Sequence, residues 1–266
     1  MLNKLIYLLP ENTIRALSRL QFRAGFFSPL FRWAAKNFVS GKGVIKYGLG
    51  KGLKFNSAGG APGFSLGTTE PLEQDALAKY LKTGDVFFNI GANFGFFSIL
   101  AKRLVGINGR VFAFEPVPLY AKRIKENAKL NNMDIMVIQK AAFDKNGVSQ
   151  FDFREDASSL MREVKNGIEV ETVRIDDLVE AGVLDLPNYC VIDVEGAEIE
   201  VLLGMVETIS KCMPVLLVEV HWLGAKFIDF VEKFLLPMGY ELKNLDPKKE
   251  IISDCERWHA LLLPQR

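Results

Sequence analysis

The chain has 266 residues, 49% of them hydrophobic, with 33 basic against 32 acidic side chains and a formal net charge of +1. That length and apolar content suit one α/β catalytic domain with an N-terminal extension. The balanced charge argues against nucleic acid as a partner, no stretch approaches the roughly 20 apolar residues of a membrane span, and Cys190, Cys212 and Cys255 lack disulfide or zinc spacing.

Residues 1–40 carry Lys4, Arg15, Arg19, Arg23, Arg32 and Lys36 against the single acid Glu11, interleaved with Phe22, Phe26, Phe27, Phe31, Trp33 and Phe38. Arg15, Arg19 and Arg23 share one helix face. Two readings fit: a helical cap packed on the catalytic domain, or a segment lying on an anionic membrane surface with arginines at the headgroups. Met1 to Pro10 has no convincing signal-peptide cleavage site. The chain therefore reads as cytoplasmic, with peripheral contact at the inner membrane surface through residues 1–40 as the second reading. Glycines crowd between Gly41 and Gly67 and predict turns. Residues 1–66 are thus expected to form an extension and linker, and residues 67–266 the main domain.

Apolar spacing predicts a helix over Pro71 to Leu81, ended by Thr83-Gly84-Asp85. A strand at Val86 to Ile90, a helix at Phe94 to Leu104, a strand at Arg110 to Glu115, a helix at Pro118 to Leu130 and a strand at Ile135 to Ala142 follow. Continuous apolar strands separated by amphipathic helices imply a parallel sheet covered on both faces. Between Asp144 and Val173 the alternation breaks, and Gly147 to Phe153 and Ile168 to Val173 predict short antiparallel strands around a polar loop. It resumes with a strand at Tyr189 to Asp193, a helix at Ala197 to Ile209, a strand at Pro214 to Val220 and a helix at Ala225 to Phe234. A closing pair near Tyr240 to Asn244 and Trp258 to Leu263 makes the sheet mixed.

In such a sheet ligands bind at the carboxyl ends of the strands. The loop after the first strand reads Gly91-x-Asn93-x-Gly95. A dinucleotide fingerprint needs glycine where Asn93 and Phe96 stand, so a nicotinamide site is disfavoured. S-adenosylmethionine has no pyrophosphate and tolerates this loop. Glu115, twenty residues after Gly95, can accept from both ribose hydroxyls. Asp144 could accept from an adenine amino group beside the backbone of Ala142, or be a plain turn aspartate.

Four separated motifs then agree: Phe88 to Ser98 (Phe-Asn-Ile-Gly-Ala-Asn-Phe-Gly-Phe-Phe-Ser), Arg110 to Pro116 (Arg-Val-Phe-Ala-Phe-Glu-Pro), Ile192 to Glu198 (Ile-Asp-Val-Glu-Gly-Ala-Glu) and Pro214 to His221. From about Leu66 to His221 the chain resembles the FkbM family of S-adenosylmethionine-dependent methyltransferases. The resemblance implies a class I, Rossmann-like fold with a seven-stranded mixed sheet and helices on both faces. It also implies O-methylation of a hydroxyl on a sugar, glycolipid or polyketide-like natural product, and so a small-molecule or glycan acceptor. Glu70, Asn89, Gly91, Asn93, Phe94, Gly95, Glu115, Pro116, Ala142, Asp144 and Asp193 are the residues expected at the cofactor. Two positions depart from the family pattern, which usually has Asp at 89 and commonly Lys at 191, where this chain has Asn89 and Val191. A cofactor-binding protein with weak or no turnover is the alternative they raise.

Methyl transfer is an in-line displacement that needs an aligned acceptor and a group to take its proton. Asp193 and Glu195 follow the fourth strand; Glu219 and His221 end the fifth and share a face. His221 is the leading base, with Asp193 and Glu219 beside it, because imidazole titrates nearest neutral pH. His259, next to Trp258, reads as a packed core or edge residue. Asp193, Glu195 and Glu219 could alternatively hold a divalent cation. Glu198 and Glu200 read as first-turn acids that favour the helix dipole.

Overall fold

A computed structural model describes residues 41–58, 60, 62–151, 168–249 and 257–265. The basic, aromatic segment of residues 1–40 and the polar loop of residues 152–167 lie outside them. Two short strands, β1 (Lys42–Val44) and β2 (Lys54–Asn56), pair antiparallel and lead through α1 (Pro62–Leu66) into α2 (Pro71–Tyr80). The alternating part follows as β3 (Val86–Ile90), α3 (Phe96–Val105), β4 (Arg110–Phe114), α4 (Pro118–Leu130) and β5 (Met136–Ile138). Next come β6 (Ala141–Ala142), β7 (Gly147–Phe151), β8 (Ile168–Val173) and α5 (Ile175–Glu180). The remainder is β9 (Tyr189–Ile192), α6 (Glu198–Leu203), α7 (Val206–Cys212), β10 (Val215–His221), α8 (Ala225–Phe230) with a π-helical turn (Val231–Leu235), β11 (Tyr240–Asn244) and β12 (Arg257–Pro264).

The main sheet has seven strands in the order β11-β12-β10-β9-β3-β4-β5. β5, β4, β3, β9 and β10 run parallel, and β12 is antiparallel to both β10 and β11. This is the seven-stranded mixed, Rossmann-like sheet that the resemblance implies. Because successive side chains point to opposite faces, Phe87 and Phe88 go different ways. Phe88, Phe112, Cys190, Leu216 and Val218 pack beneath the helices from residue 175 onwards. Phe87, Val111, Tyr189, Val191 and Leu217 pack with α2, α3 and the β1-β2 ribbon. Each fully buried aromatic or aliphatic side chain contributes about 1.5–3 kcal/mol relative to exposure, so both faces are firmly anchored.

The glycine-rich stretch after residue 41 is built into this core. Ile45 and Phe55 are buried with Leu77 and Phe96, and Asn127 on α4 accepts from the Asn56 N–H at 2.7 Å.

Three elements differ from expectation. The strand expected over Ile135 to Ala142 divides: β5 stays in the main sheet, while β6 pairs with β8 in a separate three-stranded sheet, β6-β8-β7. The helix expected over Ala197 to Ile209 breaks at Gly204, where a Cβ would lie 1.9 Å from the Phe143 carbonyl oxygen. Asp176, in the unforeseen helix α5, restarts it by accepting from the Thr208 N–H at 2.8 Å and the Glu207 N–H at 3.2 Å. Among the described residues no helix is long and apolar enough to cross a membrane.

Candidate active site

The loop after β3 is shaped by three left-handed residues, Gly91, Asn93 and Gly95, with φ of 81°, 50° and 79°. A Cβ at Gly91 would sit 1.8 Å from the Asp193 carbonyl oxygen. Only glycine lets the loop pass that close to the end of β9. Gly91 and Ala92 donate their N–H groups to the Phe114 carbonyl, which locks the loop to β4. Glu115, one residue on, accepts from the Asn93 N–H at 2.7 Å and the Val117 N–H at 2.9 Å. Burial pushes its carboxyl up to about 7 despite those two donors. Glu115 is therefore fixed in place and poised between its two charge states near neutral pH.

Two cavities meet at this loop. The first, about 60 Å³, is lined by Ile90, Glu115, Pro116, Tyr120, Ala142 and Val194. The second, about 210 Å³, lies on the α2 face, between the aromatic rings of Phe64, Phe94, Phe96 and Phe97 and the polar groups Glu70, Glu73, Asn89, Glu219, Arg257 and His259. Gly91, Asn93, Asp193 and Glu195 line both. The Asn93 Oδ1 atom is buried without a hydrogen-bond partner among the described residues.

The second cavity is rich in carboxyl groups. Glu70 has a left-handed backbone, φ 46°, just before Pro71, and burial together with Glu73 and Glu219 pushes its carboxyl up to about 7. Asp193 is pushed well above the usual range by burial and by Glu219, Glu70 and Glu195. Glu219 goes the other way: burial would raise it, but hydrogen bonds and charge from His259 and Arg257 hold it down, at about 2. His259 lies 2.9 Å from Glu73 Oε1 and 3.5 Å from Glu219 Oε1. Burial would lower its imidazole, but those carboxylates outweigh burial and lift it to about 10.

Most of the residues expected at the cofactor do gather here: Glu70, Asn89, Gly91, Asn93, Phe94, Glu115, Pro116, Ala142 and Asp193 line one cavity or both. Gly95 supports the loop from behind, where a Cβ would lie 3.0 Å from the Ile124 side chain. Asp144 is exposed just after β6 and lines neither cavity. His221 also lines neither cavity. It is 1% exposed, with Nδ1 2.8 Å from Glu198 Oε1. Glu198 is thus no solvated first-turn acid, since it is fully buried and also accepts from the Gly196 N–H at 3.0 Å.

Three groups escaped sequence reasoning: Glu73 and Arg257 at the cavity, and His259, read as packing. A signal was present for His259. β12 pairs antiparallel with β10 so that His259 is opposite Glu219 and Arg257 opposite His221, and cross-strand partners share a face.

Residues 89–242 match the Methyltransferase FkbM domain, more than half of the chain. The chain belongs to the FkbM methyltransferase family. It is 29% identical over 154 residues to the hexuronic acid methyltransferase AglP of Haloferax volcanii, covering 56% of this chain and 62% of that protein. It is 32% identical over 153 residues to the 2-O-methyltransferase NoeI of Sinorhizobium fredii, covering 49% and 61%. For the 31-O-demethyl-FK506 methyltransferase FkbM of Streptomyces tacrolimicus the identity is 28% over 175 residues, covering 53% and 67%. The chain spans about three fifths of the length of the first two relatives. Among solved structures, the methyltransferase FkbM of Methylobacillus flagellatus KT superposes with a TM-score of 0.48 at 16% identity, over 76% of this chain and 52% of that one.

The family's cofactor, S-adenosylmethionine, fits the residues present. Glu115 offers an oriented carboxylate to ribose hydroxyls, and the orphaned Asn93 Oδ1 offers an acceptor where the cavities join. The two departures from the FkbM pattern also make sense together. Asn89 and Val191 are direct partners across β3 and β9, so the usual Asp and Lys would face each other there. Asn89 and Val191 leave no buried charge at that pair, and Asn89 donates to Ser98 Oγ at 2.8 Å.

Proposed function

We propose that this protein is an S-adenosylmethionine-dependent O-methyltransferase acting on a hydroxyl of a sugar, glycolipid or polyketide-like natural product. The observation that carries this reading is the junction of the two cavities at Gly91, Asn93, Asp193 and Glu195, which gives one ligand for each side access to a common point. When bound, S-adenosylmethionine supplies an electrophilic methyl group on a sulfonium centre. Glu115 and the glycine loop hold the adenosine end in the first cavity. The larger cavity takes the acceptor: Phe64, Phe94 and Phe97 offer ring faces to C–H surfaces, and its carboxylates accept from hydroxyls. The named relatives act on different acceptors, a hexuronic acid for one and 31-O-demethyl-FK506 for another, and two of them carry O-methylation in their names, which supports a hydroxyl acceptor. In the transfer a C–O bond forms as the C–S bond breaks, and the sulfur keeps the electron pair.

The acceptor's proton then needs a base in the cavity. We assign it to Glu70, because it lines the acceptor cavity on a strained left-handed backbone and its carboxyl, near 7, is matched to neutral pH. This reading prefers Glu70 to His221, which lines neither cavity. Transfer of labelled methyl groups to a panel of glycosides and hydroxylated macrolides tests this. Glu70→Gln should lower kcat by about 10²- to 10⁴-fold with cofactor affinity little changed. A lost affinity with kcat intact would instead make Glu70 the partner of the cofactor's ammonium.

For residues 1–40 the proposal is peripheral contact with anionic membranes, supported by six basic side chains interleaved with aromatic ones. Full-length protein should co-sediment with anionic vesicles at low salt and detach at high salt. Equal sedimentation of a protein lacking these residues would refute it.

A further inference from the structure

We propose that Asp193, Glu219 and His221 hold a divalent cation at the carboxyl edge of the sheet, with Glu198 fixing the histidine from behind. Their ligand atoms lie within 4.8 Å of one another. An acidic cluster alone would not make a site, but His221 is a second and independent indication. Its side chain is 1% exposed, Nδ1 pairs with Glu198, and Nε2 has no hydrogen-bond partner among the described residues. Instead Nε2 faces three carboxylate oxygens, Glu195 Oε2 at 3.4 Å, Glu219 Oε1 at 3.6 Å and Asp193 Oδ1 at 3.9 Å. These separations are long for hydrogen bonds. They suit ligands sharing one ion, since metal–ligand bonds of about 2.1 Å place neighbouring ligands ~3 Å apart and opposite ones ~4 Å apart. Asp193 Oδ1 is likewise buried and without a hydrogen-bond partner.

The pairing behind the ring fits as well. A Glu198 carboxylate accepting from Nδ1–H leaves the Nε2 lone pair pointing at the cluster, the usual arrangement of a metal-ligating histidine and its orienting carboxylate. Glu70, Glu73, Asp193, Glu195 and Glu219 face the acceptor cavity, and Arg257 and His259 are the basic side chains lining it. Glu219 is the one ligand with competing partners, since both basic side chains engage it from β12. A histidine with carboxylates suits a divalent first-row ion, and Mn²⁺, which favours carboxylate oxygens, serves as the probe. A cation there would lie next to the acceptor hydroxyl and make it more acidic, with Glu70 still receiving the proton.

The test is electron paramagnetic resonance of Mn²⁺ titrated into the full chain without cofactor. One Mn²⁺ should bind per chain. Asp193→Asn and His221→Ala should each abolish that binding, and Glu198→Gln, which acts only through the histidine, should weaken it about tenfold. Thermal melts show whether each variant is folded, and Glu219→Gln serves if the histidine variant is not. Absence of bound Mn²⁺ at millimolar concentrations, or binding retained in the folded ligand variants, overturns the proposal. S-adenosylmethionine affinity of the wild-type chain and of Glu219→Gln, measured without Mn²⁺, tests the methyltransferase reading separately, because Glu219 lines only the larger cavity.

Discussion

The smaller end of the cleft is lined by residues 90–93, 114–120, 140–142 and 193–195, whereas the larger end collects side chains from five stretches between residues 60 and 259. The first is made by backbone: positive-φ glycines, paired N–H groups and one carboxylate they orient. The second is made by side chains whose partners are chosen by sheet register. The difference explains why one end can be read along the chain and the other cannot.

The largest expected effect breaks the backbone-built end. Gly91→Ala places a Cβ against the Asp193 carbonyl at a left-handed φ, so backbone strain and overlap together should lower stability by about 4 kcal/mol and cofactor binding should vanish. Urea denaturation and calorimetry measure both. A well-folded variant with normal binding would show that the loop is not the constraint described.

A smaller effect sharpens the side-chain end. Asn89→Asp alone would bury a carboxylate opposite Val191 and should cost about 3 kcal/mol. Adding Val191→Lys should recover a large part of that, because the two positions are cross-strand partners. If the double variant is no more stable than Asn89→Asp, the two departures from the family pattern are unrelated.

The same contrast governs what the sequence made legible. The helix at Pro118–Leu130 and the strands at Val86–Ile90 and Tyr240–Asn244 fall where periodicity puts them, and Glu115 stands where a contiguous motif predicts. Apolar periodicity does not report a change of sheet, so Ile135 to Ala142 reads as one strand although Ala141 and Ala142 pair elsewhere. Nor does it report that Gly204 must pass against Phe143. Glu198 looks like a helix-start acid because its partner, His221, is 23 residues away. His259 looks like packing because its carboxylates, Glu73 and Glu219, arrive from α2 and β10.

Glu115 links the two charge states of the cofactor site to a measurable pH window. In the free protein its carboxyl is raised from 4.5 to about 7, so the stability associated with its neutral form is present below the unfolded value and is lost as pH rises towards 7. Ribose hydroxyls need the ionised form as acceptor, so cofactor affinity should run the opposite way. The most direct measurement is calorimetry of S-adenosylmethionine binding to the full chain and to Glu115→Ala at pH 6 and pH 8. The wild type should bind about tenfold more tightly at pH 8, and Glu115→Ala should bind weakly at both. Wild-type affinity in Glu115→Ala would contradict the assignment of this cleft to the cofactor.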